Sequence, residues 1–121
     1  MMGKQTSIMV IDDEKDIATI IGRSLRSSGF KVCEFTDPVL ALEHFMSDPK
    51  DHDLVISDIN MPRMTGFELV RKIKQVQPET RIFLMSAFEI NQSEFQIVLP
   101  STHVDRFIQK PISMANLIDM I

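Results

Sequence analysis

The chain of 121 residues carries 13 Lys and Arg against 17 Asp and Glu, which gives a formal net charge of −4. This is the length of one ordinary domain, and an apolar fraction of 44% is enough for a buried core. The mild negative charge argues against a nucleic-acid-binding surface. The single cysteine excludes an intramolecular disulfide, and no apolar run has the length of a membrane span or signal peptide. We expect one soluble cytoplasmic domain with neither nucleic acid nor membrane as a direct partner.

Strands and helices alternate in the first half of the chain. The first predicted strand, 7–11, is apolar without alternation, as expected of a strand that is covered on both faces. Gly29 stands where a left-handed residue ends the following helix. The second predicted strand is 31–35, and Asp37-Pro38 predicts the start of a second helix. The expected buried stripe of the first helix is Ile17, Ile20, Ile21, Ser24, Leu25 and Ser28, and the second helix runs through Leu40, Ala41, His44 and Phe45.

The same alternation continues in the second half. Predicted strands cover 53–57, 81–85 and 106–109, and a helix begins at Thr65 or Gly66. A weaker helix is predicted through Phe95, Val98 and Leu99, and a last one has apolar residues at Met114, Leu117, Ile118 and Ile121. Strands that alternate with helices predict an α/β fold, a doubly wound five-stranded parallel sheet with helices on both faces.

Polar residues stand at the ends of four predicted strands. Asp12 and Asp13 follow the first strand, Asp58 the third, Ser86 the fourth and Lys110 the fifth. In an open parallel sheet, ligands bind beyond the carboxyl ends of the strands, where the strand order reverses. With the order 2-1-3-4-5, which we take from known proteins of this architecture, the three carboxylates converge.

Carboxylates that converge in this way require a positive partner. Two like charges about 4 Å apart repel by about 4 kcal/mol at an effective dielectric constant of about 20. Mg²⁺ prefers oxygen ligands of this kind, and the charges of three acids, one Mg²⁺ and Lys110 sum to zero. A carboxylate can serve as the nucleophile for a phosphoryl group. The sequence therefore predicts a magnesium-dependent phosphoryl site.

Four segments carry a resemblance to a known family: IMVIDDE at 8–14, DLVISDINMPRMTG at 53–66, IFLMSA at 82–87 and FIQKP at 107–111. With them, the chain resembles the receiver domain of two-component response regulators, in particular the chemotaxis regulators, over essentially all of 1–121. The resemblance implies a flavodoxin-like fold with strand order 2-1-3-4-5. It also implies a phosphorylation-activated signalling switch, not an enzyme in the conventional sense, that catalyses its own phosphorylation and slow dephosphorylation.

The resemblance also implies a role for each site residue. Asp58 would be the phosphoacceptor and would receive its phosphoryl group from a phosphohistidine on a sensor histidine kinase or a phosphotransfer protein. Asp12, Asp13, Asp58 and the backbone carbonyl of Asn60 would bind Mg²⁺, with Mn²⁺ as a substitute. Lys110 would pair with the phosphoryl group.

Ser86 and Phe107 match the family's switch positions. Ser86 would contact the phosphoryl oxygen, and Phe107 would follow its movement by packing alone, because phenylalanine has no hydroxyl group. The face formed by the helix before the fifth strand, that strand and the last helix would then be repacked. The resemblance also implies a cis peptide bond at Lys110-Pro111.

The remaining expectations concern the output and the rest of the protein. The segment between Ser86 and Lys110 is about two positions longer than the family pattern and has no glycine turn before the fifth strand, so the shape of the output face stays open. The last apolar stripe is still running at Ile121, and we expect the N-terminal module of a longer regulator, with a single-domain protein as the alternative. A downstream output domain or protein and dimerisation on activation complete the expected partners.

Two alternative functions stay open. A small phosphohydrolase with an aspartyl nucleophile would typically have a second acid two residues beyond the nucleophile, where this chain has Asn60. A degenerate receiver would bind partners without phosphorylation, although all five site positions are present. Cys33 is predicted to be a core residue, and the chain's histidines, His44, His52 and His103, lack the spacing of metal ligands.

Overall fold

The computed structural model describes residues 5–87 and 103–121. Its strands are β1 (Ser7–Ile11), β2 (Lys31–Phe35), β3 (Leu54–Asp58), β4 (Arg81–Ser86) and β5 (Arg106–Gln109). Its helices are α1 (Lys15–Ser27), α2 (Pro38–Ser47), α3 (Gly66–Val76) and α4 (Met114–Met120), with a short 3-10 turn at Pro49–Asp51. The helix predicted through 95–99 lies outside the described residues. None of the described helices is long and apolar enough to cross a lipid bilayer.

The five strands form one parallel sheet in the order β2-β1-β3-β4-β5. The α/β fold and the strand order 2-1-3-4-5 are therefore confirmed. Strands β1 and β3 are neighbours although a whole strand and two helices separate them in the sequence. The chain leaves β1 toward one side and β3 toward the other, so the carboxyl ends of these two strands flank a crevice.

The end of α1 and the starts of α2 and α3 lie where the sequence predicts. The Asp37 side chain accepts a hydrogen bond from the Val39 amide at 2.9 Å and caps α2, in which Pro38 is the first residue. The Thr65 hydroxyl caps α3 in the same way, at 3.2 Å from the Glu68 amide. Gly29 follows α1 with a φ of 95°, a left-handed conformation that favours glycine.

Apolar clusters cover both faces of the sheet. Met9 and Ile11 of β1 point into the cluster that α2 and α3 cover, while Ile8 and Val10 point into the cluster covered by α1 and α4. All five residues of β1 are buried, and so are all five of β3. The uninterrupted apolar runs are thus explained by burial on two faces, and the polar site is left to the ends of the strands.

The predicted stripe of α1 is wrong in its centre. Ile20 is 55% exposed, and the buried residues of the helix are Ala18, Ile21, Gly22 and Leu25. A methyl group on Gly22 would lie 2.0 Å from the Glu34 carboxylate of β2, so the small residues form the contact face. The prediction followed the large apolar residues and therefore placed the buried face one position too early along the helix. The helix approaches the sheet closely, and small residues are needed there.

Candidate functional site

Three carboxylates meet at the carboxyl ends of β1 and β3. Asp12, Asp13 and Asp58 each offer an oxygen, and these oxygens lie within 4.8 Å of one another. Asp12 is fully buried and Asp58 is 6% exposed, while Asp13 faces solvent. The Asp12 carboxylate is oriented by the Glu14 amide, which donates to Oδ1 at 2.9 Å. The predicted convergence of the three acids is therefore present.

Lys110 supplies the positive charge. Its Nζ lies 2.7 Å from Oδ2 of Asp12 and 3.6 Å from Oδ2 of Asp58. Its backbone amide donates to the carbonyl of Ser86 at 2.7 Å and continues the pairing of β4 with β5. Burial lowers the pKa of the ammonium, but the hydrogen bond and charge of Asp12 and the charge of Asp58 outweigh it, so the pKa is raised. The lysine is fully charged at neutral pH.

Asp58 occupies an environment that disfavours its charge. Burial and the neighbouring Asp12 raise its pKa from 3.8 to about 6, against the opposing charge of Lys110. Its Oδ1 accepts a hydrogen bond from the Ile59 amide at 3.0 Å, and its Oδ2 faces Lys110. A divalent cation near the three acids would favour the ionised form, which is the nucleophilic one.

The loop after β3 is held tightly against the site. The Gly66 amide donates to the carbonyl of Ile59 at 2.8 Å, and Met61 and Met64 are buried in the core. A Cβ atom at Gly66 would lie 2.4 Å from the carbonyl oxygen of Asp58, closer than two such atoms can approach. Gly66 therefore allows α3 to begin directly against the strand end that carries Asp58, a role that the sequence motif did not reveal.

The other predicted site residues lie around this centre. Ser86 is buried at the end of β4, and Phe107 is half-buried on the adjacent β5, opposite Leu84. Asn60 is exposed in the loop after Asp58, and its proposed carbonyl ligand stays a prediction. The Lys110-Pro111 peptide bond is cis, as the resemblance implied.

The donor set suits a hard divalent cation. All three ligand groups are carboxylates, which bind Mg²⁺ and Mn²⁺ in preference to softer ions. Three acids against one lysine leave a net charge of −2 at this end of the sheet, which a single divalent ion would balance. The residues present therefore fit the predicted magnesium ion.

Comparison with known families gives the class of the protein. The family model of the response regulator receiver domain matches residues 8–121, and the chain belongs to this family. It is 35% identical over 88 residues to the transcriptional regulatory protein ZraR of Klebsiella oxytoca, covering 73% of this chain and 19% of that protein. It is 31% identical over 113 residues to the response regulator SaeR of Staphylococcus epidermidis, covering 93% of this chain and 47% of that protein. The chain thus spans less than half the length of these relatives.

Solved structures share the fold of this chain. The chemotaxis protein CheY4 of Vibrio cholerae superposes with a TM-score of 0.84 at 23% identity, covering 96% of this chain and 95% of that chain. The response regulator TrrA of Thermotoga maritima, solved in complex with Mg(2+)-BeF, has a TM-score of 0.79 at 28% identity and covers 95% of both chains. The protein is therefore a receiver domain of the two-component response regulators, a class of phosphorylation-activated signalling switches.

Proposed function

We propose that Asp58 is the phosphoacceptor of this receiver and takes its phosphoryl group from a phosphohistidine of a sensor histidine kinase or phosphotransfer protein. The observation that carries this proposal is the position of the Lys110 ammonium, 2.7 Å from Asp12 and 3.6 Å from Asp58 at one end of the sheet. Asp58 is the last residue of β3, the central strand of the sheet, whereas Asp12 and Asp13 follow β1, and its buried carboxylate lies beside Asp12 and Lys110. These groups provide a nucleophile and its charge partners.

The transfer exchanges one bond for another. An oxygen of Asp58 forms the new bond to phosphorus while the phosphorus–nitrogen bond of the donor breaks, and the imidazole nitrogen keeps the bonding electron pair. Lys110 pairs with an oxygen of the incoming phosphoryl group and holds it in line with Asp58. Mg²⁺, held by Asp12, Asp13, Asp58 and the carbonyl of Asn60, supplies charge neutralisation when bound. The chain thereby catalyses its own phosphorylation, and slow hydrolysis at the same site returns it to the resting state.

The phosphoryl group biases a switch through the end of β4. Ser86 is buried at the end of β4, and its backbone carbonyl accepts a hydrogen bond from the amide of Lys110. Phe107 on the adjacent strand packs against the core cluster covered by α2 and α3. A ligand shifts a two-state equilibrium only by contacts it makes better in one state. A phosphoryl group that draws Ser86 inward provides such contacts, and Phe107 responds by repacking.

The remaining parts of the proposal concern the whole protein. We propose that residues 1–121 form one receiver domain that acts in the cytoplasm on an output domain or a separate protein, with dimerisation as one mode of activation. The lengths of ZraR and SaeR, of which this chain covers 19% and 47%, support an attached output domain.

Phosphorylation is tested by intact-mass spectrometry. The protein is incubated with a small phosphoryl donor such as acetyl phosphate, with Mg²⁺ or with excess chelator. We expect one alkali-labile phosphoryl group per chain in the presence of Mg²⁺ and none with chelator. The Asp58→Asn variant loses the incorporation, and Asp119→Asn, which changes an exposed acid on α4, keeps it.

Two results would contradict the proposal. Equal incorporation in the wild type and in Asp58→Asn would show that another group is the acceptor. Incorporation that is unaffected by chelator would remove the role of the cation while leaving Asp58 as the nucleophile.

A further inference from the structure

A second cluster of metal-ligating side chains lies on β2, α2 and the segment before β3. Cys33, His44 and His52 each offer a ligand atom, and these atoms lie within 4.8 Å of one another. The three residues have no motif spacing in the sequence. They meet because β2 pairs with β1, β1 pairs with β3, and α2 packs on this edge of the sheet.

The environment of His52 points to a missing partner. Its side chain is buried, with the residue only 4% exposed, and its Nδ1 has no hydrogen-bond partner within the described part of the chain. Buried polar atoms are nearly always paired, because an unpaired one costs about 1–3 kcal/mol. The ring is packed between Phe45 and His44, with ring centroids 5.3 and 5.2 Å apart. The imidazole is thus held in place, with its buried Nδ1 available to a ligand.

We propose that Cys33, His44 and His52 form a binding site for a borderline transition-metal ion such as Zn²⁺, separate from the acidic magnesium site. One thiolate and two imidazoles are ligands that Zn²⁺ binds, and three protein ligands leave a fourth position for water. His44 is exposed and Cys33 is half-buried, so an ion can enter from solvent. The carboxylates of Asp51 and Asp48 favour a positive charge at His52, while His44 and Lys31 act against it.

The protonation states are compatible with metal binding. Burial lowers the pKa of His52, so its imidazole is neutral and its lone pair is available. Burial raises the pKa of the Cys33 thiol, whose Sγ lies 3.9 Å from the carbonyl oxygen of Ile8. A coordinated thiol is deprotonated outright, so the ion would displace this proton to solvent.

An ion at this site would add a direct link between three elements, of which β2 and the turn before β3 are already joined by the ion pair of Lys31 with Asp51. It would connect β2, α2 and the turn before β3 on the β1-β2 side of the sheet, whereas the acids and Lys110 lie at the carboxyl ends of the strands. Zinc would therefore stabilise the fold without entering the phosphorylation site. At free Zn²⁺ about 100 times the dissociation constant, we expect a rise in Tm on the order of 10 °C.

The site is tested on the reduced full chain, with Mg²⁺ in excess to occupy the acidic site. Titration with Co²⁺ is followed by absorption, since a thiolate ligand produces a charge-transfer band, and Zn²⁺ then displaces Co²⁺ at one equivalent. We expect Cys33→Ser to abolish the band. His44→Gln, at an exposed position that does not threaten folding, is expected to weaken Zn²⁺ binding at least about 10-fold, because even loss of an outer partner costs about 10–100-fold.

Two matched controls make the assignment specific. His103→Gln changes the histidine outside the cluster, which lies beside Asp105, and Asp58→Asn changes the acidic site. Both should bind Zn²⁺ as the wild type does. The proposal is overturned if the wild type shows no saturable Zn²⁺ binding and no thiolate band. It is also overturned if Cys33→Ser binds Zn²⁺ unchanged, or if Asp58→Asn alone removes the binding.

Discussion

The two ligand clusters of this receiver have the same compactness and opposite chemistry. In both, three ligand atoms lie within 4.8 Å of one another. The acidic cluster consists of like charges whose mutual repulsion is strengthened by burial. Lys110 lies beside two of them as a counter-ion. The cluster of Cys33, His44 and His52 contains no carboxylate and has one thiol and two imidazoles as its ligand groups. Compactness alone therefore does not define a site. The three acids repel one another and need a positive partner, whereas the thiol and imidazoles can bind an ion without needing one to balance their charge.

The largest effect is expected from removal of the counter-ion. In Lys110→Met, the fully buried Asp12 loses its ion pair, and the free energy of unfolding should fall by about 3–5 kcal/mol in chelated buffer. Urea denaturation measures it. The control is Lys31→Met, which breaks an exposed ion pair with Asp51 and should cost less than about 1 kcal/mol. Similar losses in the two variants would mean that the buried pair is not held as described.

Gly66→Ala tests the geometry of the acidic site. The new methyl group would meet the carbonyl oxygen of Asp58 at 2.4 Å, so the backbone must move, at a cost of about 1–3 kcal/mol. Phosphoryl incorporation from acetyl phosphate should slow as well. Gly29→Ala is the control, because it strains a φ of 95° but contacts nothing within 4 Å. If it slows phosphorylation equally, the close approach at Gly66 has no special role.

Removal of one charge from the acidic cluster should stabilise the fold. The pKa of Asp58 is raised to about 6, so its ionised form costs stability at neutral pH. Asp58→Asn should raise the free energy of unfolding by about 1–2 kcal/mol in chelated buffer at pH 8. The gain should disappear as the pH falls from about 6 to 3.8, where the wild-type carboxyl binds its proton. A variant less stable than the wild type at pH 8 would contradict this.

The smallest effect is expected from His52 in the cluster of Cys33, His44 and His52. Burial lowers the pKa of His52 below 6.5, so the unfolded chain binds more protons as the pH falls below 6.5 and stability decreases. One such group changes the free energy of unfolding by at most about 1.4 kcal/mol per pH unit. The free energy of unfolding is measured as a function of pH in the Asp58→Asn background. This background removes the titration of Asp58, whose raised pKa makes stability increase as the pH falls. His52→Gln should flatten the dependence below pH 6.5, and His103→Gln should not.

Features that depend on periodicity were predictable from the sequence, and features that depend on close approach were not. The strands, the cap at Asp37, the start of α3 and the convergence of the acids all depend on local pattern or on one topological rule. Strand order came from known proteins, not from residues. The contact face of α1 was misplaced because Ala18 and Gly22 pack closely without being large.

The Cys33 cluster was unpredictable for a different reason. Cys33 lies on β2, His44 on α2 and His52 just before β3. They lie close together because β1 alone separates β2 from β3 in the sheet. Spacing in the sequence carries no signal of such a site. The close approach at Gly66 is similar, since glycine at the first position of a helix has many explanations until the distance to Asp58 is known.

The ion pair of Asp12 with Lys110 joins residues near the two ends of the sequence. Lys110 follows β5, the edge strand of the sheet, whereas the acids follow β1 and β3 in its middle. A local opening of this edge would withdraw the lysine and leave the three carboxylates in place. The competence of the site to hold a phosphoryl group therefore depends on the attachment of an edge strand that carries none of the acids.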